Sequence, residues 1–129
     1  MDIVADTNIF LAVALNEPEK SRIIEITSAS NAISPDILPY EIGNALMAMI
    51  KRHKLSKEEA LSTFEITQRI PVRLISVDIK KALEIAIQFN IYAYDAYFIQ
   101  CAQSISCPLL TLDKRLKEIA KSLNILVLE

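Results

Sequence analysis

Apolar residues fall along this chain in two rhythms. Short, almost uninterrupted apolar runs alternate with longer stretches in which apolar residues return every three or four positions. The first kind reads as buried β-strand and the second as amphipathic helix. Strands are predicted at Ile3–Ala5, Ala32–Ser34, Val72–Ile75, Leu109–Leu112 and Ile125–Leu128. Helices are predicted at Asn8–Leu15, Pro18 to about Ser28, Asp36 to about His53, Ser56 to about Gln68, Asp78–Phe89, Asp95–Ser104 and Lys114–Leu123. Pro18 suits the first turn of its helix. Asp36 suits an N-cap ahead of Ile42, Leu46, Met49 and Ile50. Ser56 and Glu59 have the spacing of a capping box.

Strands that are apolar throughout are covered on both faces, and helices separate these. The pattern therefore predicts an α/β fold with a mainly parallel sheet and helices on both sides. In such folds ligands sit beyond the carboxyl ends of the strands, where the strand order reverses. Asp6 and Asp113 each follow a predicted strand, so the fold offers them a common rim.

Composition narrows the function classes. A chain of 129 residues with 52% hydrophobic content and one glycine reads as a single domain spanning 1–129. A net charge of −2 provides no basic stripe of the kind that dominates non-specific nucleic-acid binding. The N-terminus lacks a basic region followed by an apolar one, and no apolar run approaches the ~20 residues of a membrane helix. A soluble, cytoplasmic protein with no membrane partner is expected. Cys101 and Cys107 lack Cys-x-x-Cys spacing and are expected to be buried, reduced thiols.

Four acids flanked by apolar sequence carry the candidate chemistry: Asp6, Glu41, Asp95 and Asp113. A carboxylate beside a core is costly unless it is hydrogen-bonded, paired or bound to a metal. Gathered at one place, four of them call for a divalent cation. Clustered carboxylates without histidine or thiolate partners suit the hard ions Mg²⁺ and Mn²⁺ better than zinc. Such a site can orient water and neutralise charge on a phosphodiester, so phosphodiester hydrolysis is the expected reaction class.

The residues that carry these acids resemble the motif series of the PIN-domain family. They are Asp6-Thr7-Asn8 after the first strand, Glu41 with Asn44-Ala45-Leu46, Tyr94-Asp95-Ala96, and Thr111-Leu112-Asp113. Within that family the chain resembles the small VapC-type ribonuclease toxins along its whole length. The resemblance implies a three-layer α/β/α sandwich with a Rossmann-like sheet, and an endoribonuclease dependent on Mg²⁺ or Mn²⁺, with one or two ions. It also implies a homodimer and inhibition by a small antitoxin protein. By position, Asp6, Glu41 and Asp95 match the family's metal-binding acids and Asp113 its fourth, while Thr7, Asn8 and Thr111 match supporting polar positions. One departure stands out: some members carry a further acid soon after the third. Here Asp95 is followed by Ala96, Tyr97, Phe98, Ile99 and Gln100.

Plainer readings compete. Asp6 and Asp113 could simply cap the helices that follow them. Glu41 could be a solvated helix residue. His53, the only histidine, sits among Lys51, Arg52 and Lys54, and reads as a basic helix end rather than a catalytic base. Core packing with a hydroxyl at the rim is expected for Tyr40, Tyr92, Tyr94 and Tyr97, with base stacking an alternative for Tyr92 or Tyr94. Lys114 to Glu118 reads as a solvated helix face, though Lys114 and Arg115 stand close enough to Asp113 to meet a phosphate. Rival functions are a non-catalytic scaffold with this fold, a DNA nuclease, and a metal-dependent phosphatase using an aspartyl nucleophile. Haloacid-dehalogenase-like phosphatases place a second Asp where this chain has Asn8. Receiver domains need an acidic pair at the first strand and a Lys on the last, and neither is present.

Overall fold

The computed structural model describes residues 1–129. Eleven elements follow one another: β1 (Asp2–Ala5), α1 (Thr7–Ala14), α2 (Lys20–Thr27), β2 (Asn31–Pro35), α3 (Leu38–Lys51), α4 (Lys57–Gln68), β3 (Arg73–Ile75), α5 (Ile79–Phe89), α6 (Ala93–Ile105), β4 (Leu109–Leu110) and α7 (Lys114–Ser122). The strands form one parallel sheet in the order β3-β2-β1-β4. Val4 lies opposite both Ile33 and Leu109, which fixes the register at its centre.

Side chains alternate across a strand, and the core divides accordingly. Ile3, Ala5 and Leu110 join the cluster that holds Phe10, Ile23, Leu46 and Ala60 of α1 to α4. Val4, Ile33 and Leu109 join Ala82, Ile85, Ile99 and Ile119 of α5 to α7. Ile3-Val4-Ala5 and Leu109-Leu110 are apolar throughout because both faces are covered there, whereas edge strand β3 is exposed at Arg73 and Leu74. This is the three-layer sandwich that the two rhythms predict. Fully burying one of these Ile or Leu side chains stabilises the fold by about 2 kcal/mol.

The chain runs β1, β2, β3 outward in one direction, then returns across the sheet to place β4 on the other side of β1. The strand order therefore reverses beside β1, and the crevice expected of such a reversal opens between the carboxyl ends of β1 and β4.

Local chemistry explains the element ends. Asp6, Asp78 and Asp113 cap α1, α5 and α7 by accepting from backbone N–H groups, and Ser56 with Glu59 completes a capping box on α4. Several helices end where residues adopt left-handed backbone, at His53, Asn90, Ser106 and Asn124. Asn tolerates that conformation when glycine is scarce.

Several expectations are corrected. Asp36 does not cap α3: its backbone N–H donates to Ile75 O at 2.8 Å, and the helix starts two residues later behind Ile37, with Pro39 in its first turn. β4 ends at Leu110 rather than Leu112, because Thr111 turns its hydroxyl to Asp6. The last strand shrinks to a parallel bridge between Leu109 and Val127, since so short a β4 offers little edge to pair with. Cys101 is fully buried, and burial, helped by neighbouring Cys107, pushes its thiol up to about 12. Such a thiol is inert at neutral pH. Cys107 is only half-buried, and no disulfide joins them.

Candidate active site

The four acids come together. Asp6, Thr7, Asn8, Glu41, Asn44, Ala45, Asp95, Phe98, Asp113 and Leu116 line a cleft of about 130 Å³ at the β1–β4 crevice. Each acid is set by its own element. Asp6 leaves the end of β1 and caps α1, Asp113 caps α7, and Glu41 and Asp95 stand in the first turns of α3 and α6. The starts of four helices therefore meet at one cleft. Helix N-termini carry partial positive charge, which offsets part of the repulsion among the acids and favours an anion there.

Asp6 is the pivot. It is 5% exposed, its Oδ1 accepts from Asn8 N at 3.1 Å, and its Oδ2 accepts from the Thr111 hydroxyl. The same hydroxyl accepts from Asp113 N at 3.1 Å, so Thr111 ties Asp6 to the backbone beneath Asp113. Burial, opposed by these hydrogen bonds and reinforced by the charge of Asp113, raises the Asp6 carboxyl to about 6. Burial also raises Asp95, aided by Asp113, and raises Glu41, aided by Asp95. Asp113 thus repels both Asp6 and Asp95, and Asp95 repels Glu41. Perturbed acids in a cleft mark a functional site.

Thr7 adds a different signal. The residue lines the cleft and is 8% exposed, and its buried hydroxyl has no hydrogen-bond partner in the protein. Buried polar atoms are nearly always satisfied, so an unpaired hydroxyl beside the cleft is unusual. Asn8 is exposed there and supplies its backbone N–H to Asp6.

The plain and the chemical readings of Asp6 and Asp113 turn out to be compatible, because each caps a helix and lines the cleft. Sequence reasoning quoted Asn44 only within the Glu41 motif, without a site role, and gave none to Phe98 or Leu116. Each stands three residues after an acid on the same helix or its cap, and that spacing shares a face. The spacing was the available signal.

Other expectations fare differently. His53 lies beyond the far end of α3, about 15 Å or more along the helix from Glu41, and is exposed. His53→Ala should leave the rate of any metal-dependent reaction within a few-fold, as steady-state kinetics would check; a loss of ~10²-fold would make it an acid or base after all. Arg115 is held on α7 by Phe89 O at 3.1 Å and by Glu118 at 3.8 Å, and Lys114 is exposed, as a solvated face requires. The tyrosines are a correction. Tyr40, Tyr92 and Tyr94 are exposed rather than packed in the core, because they fall at helix starts beside the cleft mouth. Tyr97 is half-buried and meets the Tyr94 ring edge-on at 5.9 Å.

Comparison with known proteins is decided by one match: the model of the PIN-domain family covers residues 3–122. The chain belongs to the PIN-domain family. This PIN domain is similar to ribonuclease VapC3 of Pyrobaculum aerophilum, 28% identical over 124 residues, or 92% of this chain and 94% of that protein. Ribonuclease VapC9 of Mycobacterium tuberculosis is 27% identical over 116 residues, covering 90% of this chain and 89% of that one. Among solved structures, VapBC2 from Rickettsia felis bound to a DNA fragment from their promoter matches with a TM-score of 0.69, at 15% identity, over 99% of this chain and 98% of that one. FitAcB from Neisseria gonorrhoeae gives 0.64 at 16% identity over 98% and 96%. At such identities the structures speak for the PIN fold alone.

Proposed function

We propose that this PIN domain, residues 1–129, is an endoribonuclease that hydrolyses RNA phosphodiester bonds with Mg²⁺ or Mn²⁺, and is the toxin of a toxin–antitoxin pair. The single observation that carries the reading is the convergence of Asp6, Glu41, Asp95 and Asp113 on one cleft at the strand-order reversal. The similarity to proteins named VapC ribonucleases supports the choice of RNA.

The donor set fits a hard cation. It is all oxygen, three of its carboxyls are raised by burial and mutual repulsion, and the Thr7 hydroxyl has no protein partner. No three acidic side chains close on one point as a finished cage. Mg²⁺ usually keeps several waters and does not require an all-protein cage. Asp6, Glu41, Asp95 and Asp113 would hold the metal, and when bound it supplies an activated water and neutralises phosphate charge.

The chain's own residues do the rest. Thr111 and the Asn8 N–H hold the Asp6 carboxylate in one orientation, and the Asp113 carboxylate is fixed by Leu116 N at 3.1 Å. Helix starts favour a phosphate at the mouth of the cleft. Phe98 and Leu116 form an apolar floor that excludes bulk water and strengthens each charge above it.

Cleavage of a mixed RNA pool in Mn²⁺ or Mg²⁺, beside EDTA and Asp6→Asn, tests the reading. Metal-dependent cutting that the substitution removes is the expected result. No cutting together with no metal binding would leave a PIN fold used as a binding module.

Partner binding has a surface to use. Between α3 and α4 a groove of about 270 Å³ is lined by Gly43, Leu46, Met47, Ile50, Leu61 and Phe64, with Met47 and Leu61 exposed. An amphipathic antitoxin helix suits such a groove, and the exposed apolar surface of α3 and α4 also suits a homodimer. The expected sedimentation at micromolar concentration is that of two copies; a monomer would remove the dimer. No helix is long and apolar enough to cross a membrane, and the cytoplasm is where such an enzyme meets its RNA.

A further inference from the structure

The distribution of aromatic rings points beyond the reaction to how its substrate is held. The chain has four phenylalanines, four tyrosines and no tryptophan. Every phenylalanine is buried or half-buried, and the exposed rings are Tyr40, Tyr92 and Tyr94 alone. All three stand within three residues of a cleft acid in sequence, on or at the start of two different helices, α3 and α6. Tyr40 adjoins Glu41 and precedes Asn44 by four residues on α3. Tyr92, the N-cap of α6, precedes Asp95 by three. Residues three and four apart on a helix are neighbours, with Cβ atoms about 5–6 Å apart. Tyr40 therefore stands beside Asn44 and Tyr92 beside Asp95, each one helical turn from the cleft lining. They are 75% and 82% exposed, so their ring faces are free. Tyr94 differs in that its ring is already engaged with Tyr97.

We infer that Tyr40 and Tyr92 stack on the nucleobases to either side of the scissile phosphate, and so select unpaired RNA. The inference rests on the ribonuclease reading and adds the groups that hold its substrate. Two features favour bases over a protein partner at these rings. The rings belong to two different helices and make no aromatic pair with each other, and the apolar groove of α3 and α4 is lined by other residues. Stacking also supplies what the charge balance does not. A chain with net charge −2 and an acidic cleft gains little from phosphate attraction away from the helix starts. Base–aromatic stacking is uncharged, tolerates any sequence, and requires the base to be out of a duplex.

Two readouts separate stacking from a purely structural role. In the first, the non-cutting Asp95→Asn protein is titrated with a short single-stranded RNA carrying 2-aminopurine, whose fluorescence is quenched by stacking. Tyr40→Ala and Tyr92→Ala are each expected to weaken binding by about tenfold or more and to lose quenching, whereas Tyr→Phe keeps both. The same RNA annealed to its complement should show no quenching with any variant. In the second, with Asp95 intact and metal present, the Ala variants should raise KM while leaving kcat within a few-fold. Ala variants that bind, quench and cut like their parents overturn the tyrosine assignment and leave the nuclease reading standing. So do Ala variants that lose only a protein partner. A parent protein that neither binds nor cuts RNA overturns the nuclease reading, and the stacking assignment falls with it. Unchanged thermal unfolding of the exposed-site variants shows that any loss is not one of fold.

Discussion

Asp95→Asn is expected to abolish the proposed metal-dependent RNA cleavage and to leave the metal-free fold at least as stable as before. Both halves follow from where Asp95 sits. It stands in the first turn of α6 at the cleft, beside Glu41 on one side and Asp113 on the other, and its carboxyl is raised by burial and by Asp113. Replacing it with the isosteric amide removes one oxygen anion from the set that would hold a cation. A bound metal contributes several kcal/mol of charge stabilisation in the transition state. A loss of about 4 kcal/mol is a rate decrease on the order of 10³-fold. For stability two terms oppose each other. The helix start loses a favourable negative charge, worth about 0.3–1 kcal/mol, while repulsion of Asp113 and Glu41 is relieved. The expected net is zero or a gain, read from thermal unfolding in EDTA, with cutting read on the same preparation. Retained cutting would remove Asp95 from the site, and collapse of the fold would make it a structural residue.

Asp6 is expected to give the metal-free protein an inverted pH profile. A carboxyl at about 6, against its usual 3.8, means that the folded state holds a proton which the unfolded chain has already released. Stability from this group is complete below the usual carboxylate range and is lost as pH rises through about 6. The gap corresponds to about 3 kcal/mol. Glu41 and Asp95 are raised as well and add in the same direction. Chemical unfolding in EDTA is thus expected to show a lower stability at pH 7.5 than at pH 5. Asp6→Asn should flatten that difference, since Asn still caps α1 about as well as Asp. Saturating Mn²⁺ should restore stability at pH 7.5, because a ligand that binds only the folded state stabilises it. A wild-type profile that rises with pH across this range would show that Asp6 is neither buried nor repelled as described.

The layers of this fold were legible because burial on both faces leaves strands with no polar positions, as in Ile3-Val4-Ala5 and Leu109-Leu110. Helix starts were readable where a side chain caps, as at Ser56 and Asp78. Asp36 misled because a cap-forming residue also serves a turn, and here its backbone N–H is taken by β3. The end of β4 was hidden because Thr111 is a good strand residue whose hydroxyl has a tertiary partner 105 positions away. For the cleft, the acids stood out against apolar neighbours, whereas Phe98 and Leu116 look ordinary until the helices are placed. The tyrosines were misjudged for a related reason. Apolar composition around a ring does not reveal which side of a helix start faces outward. Nor could one sequence show that Asp6 and Asp113 both cap and line; in each the cap uses Oδ1.

The measurement that bears most directly on the four acids is calorimetric titration of Mn²⁺ into the metal-free protein and its Asp6→Asn and Asp95→Asn variants. Near pH 6, in buffers of different ionisation heat, it counts the protons released as well as the metal bound. The wild-type protein should bind Mn²⁺ and release a fraction of a proton as Asp6 gives up its hydrogen, and both variants should bind at least about tenfold more weakly. Absence of binding, or equal affinity in all three proteins, would contradict a divalent-cation site built by Asp6, Glu41, Asp95 and Asp113.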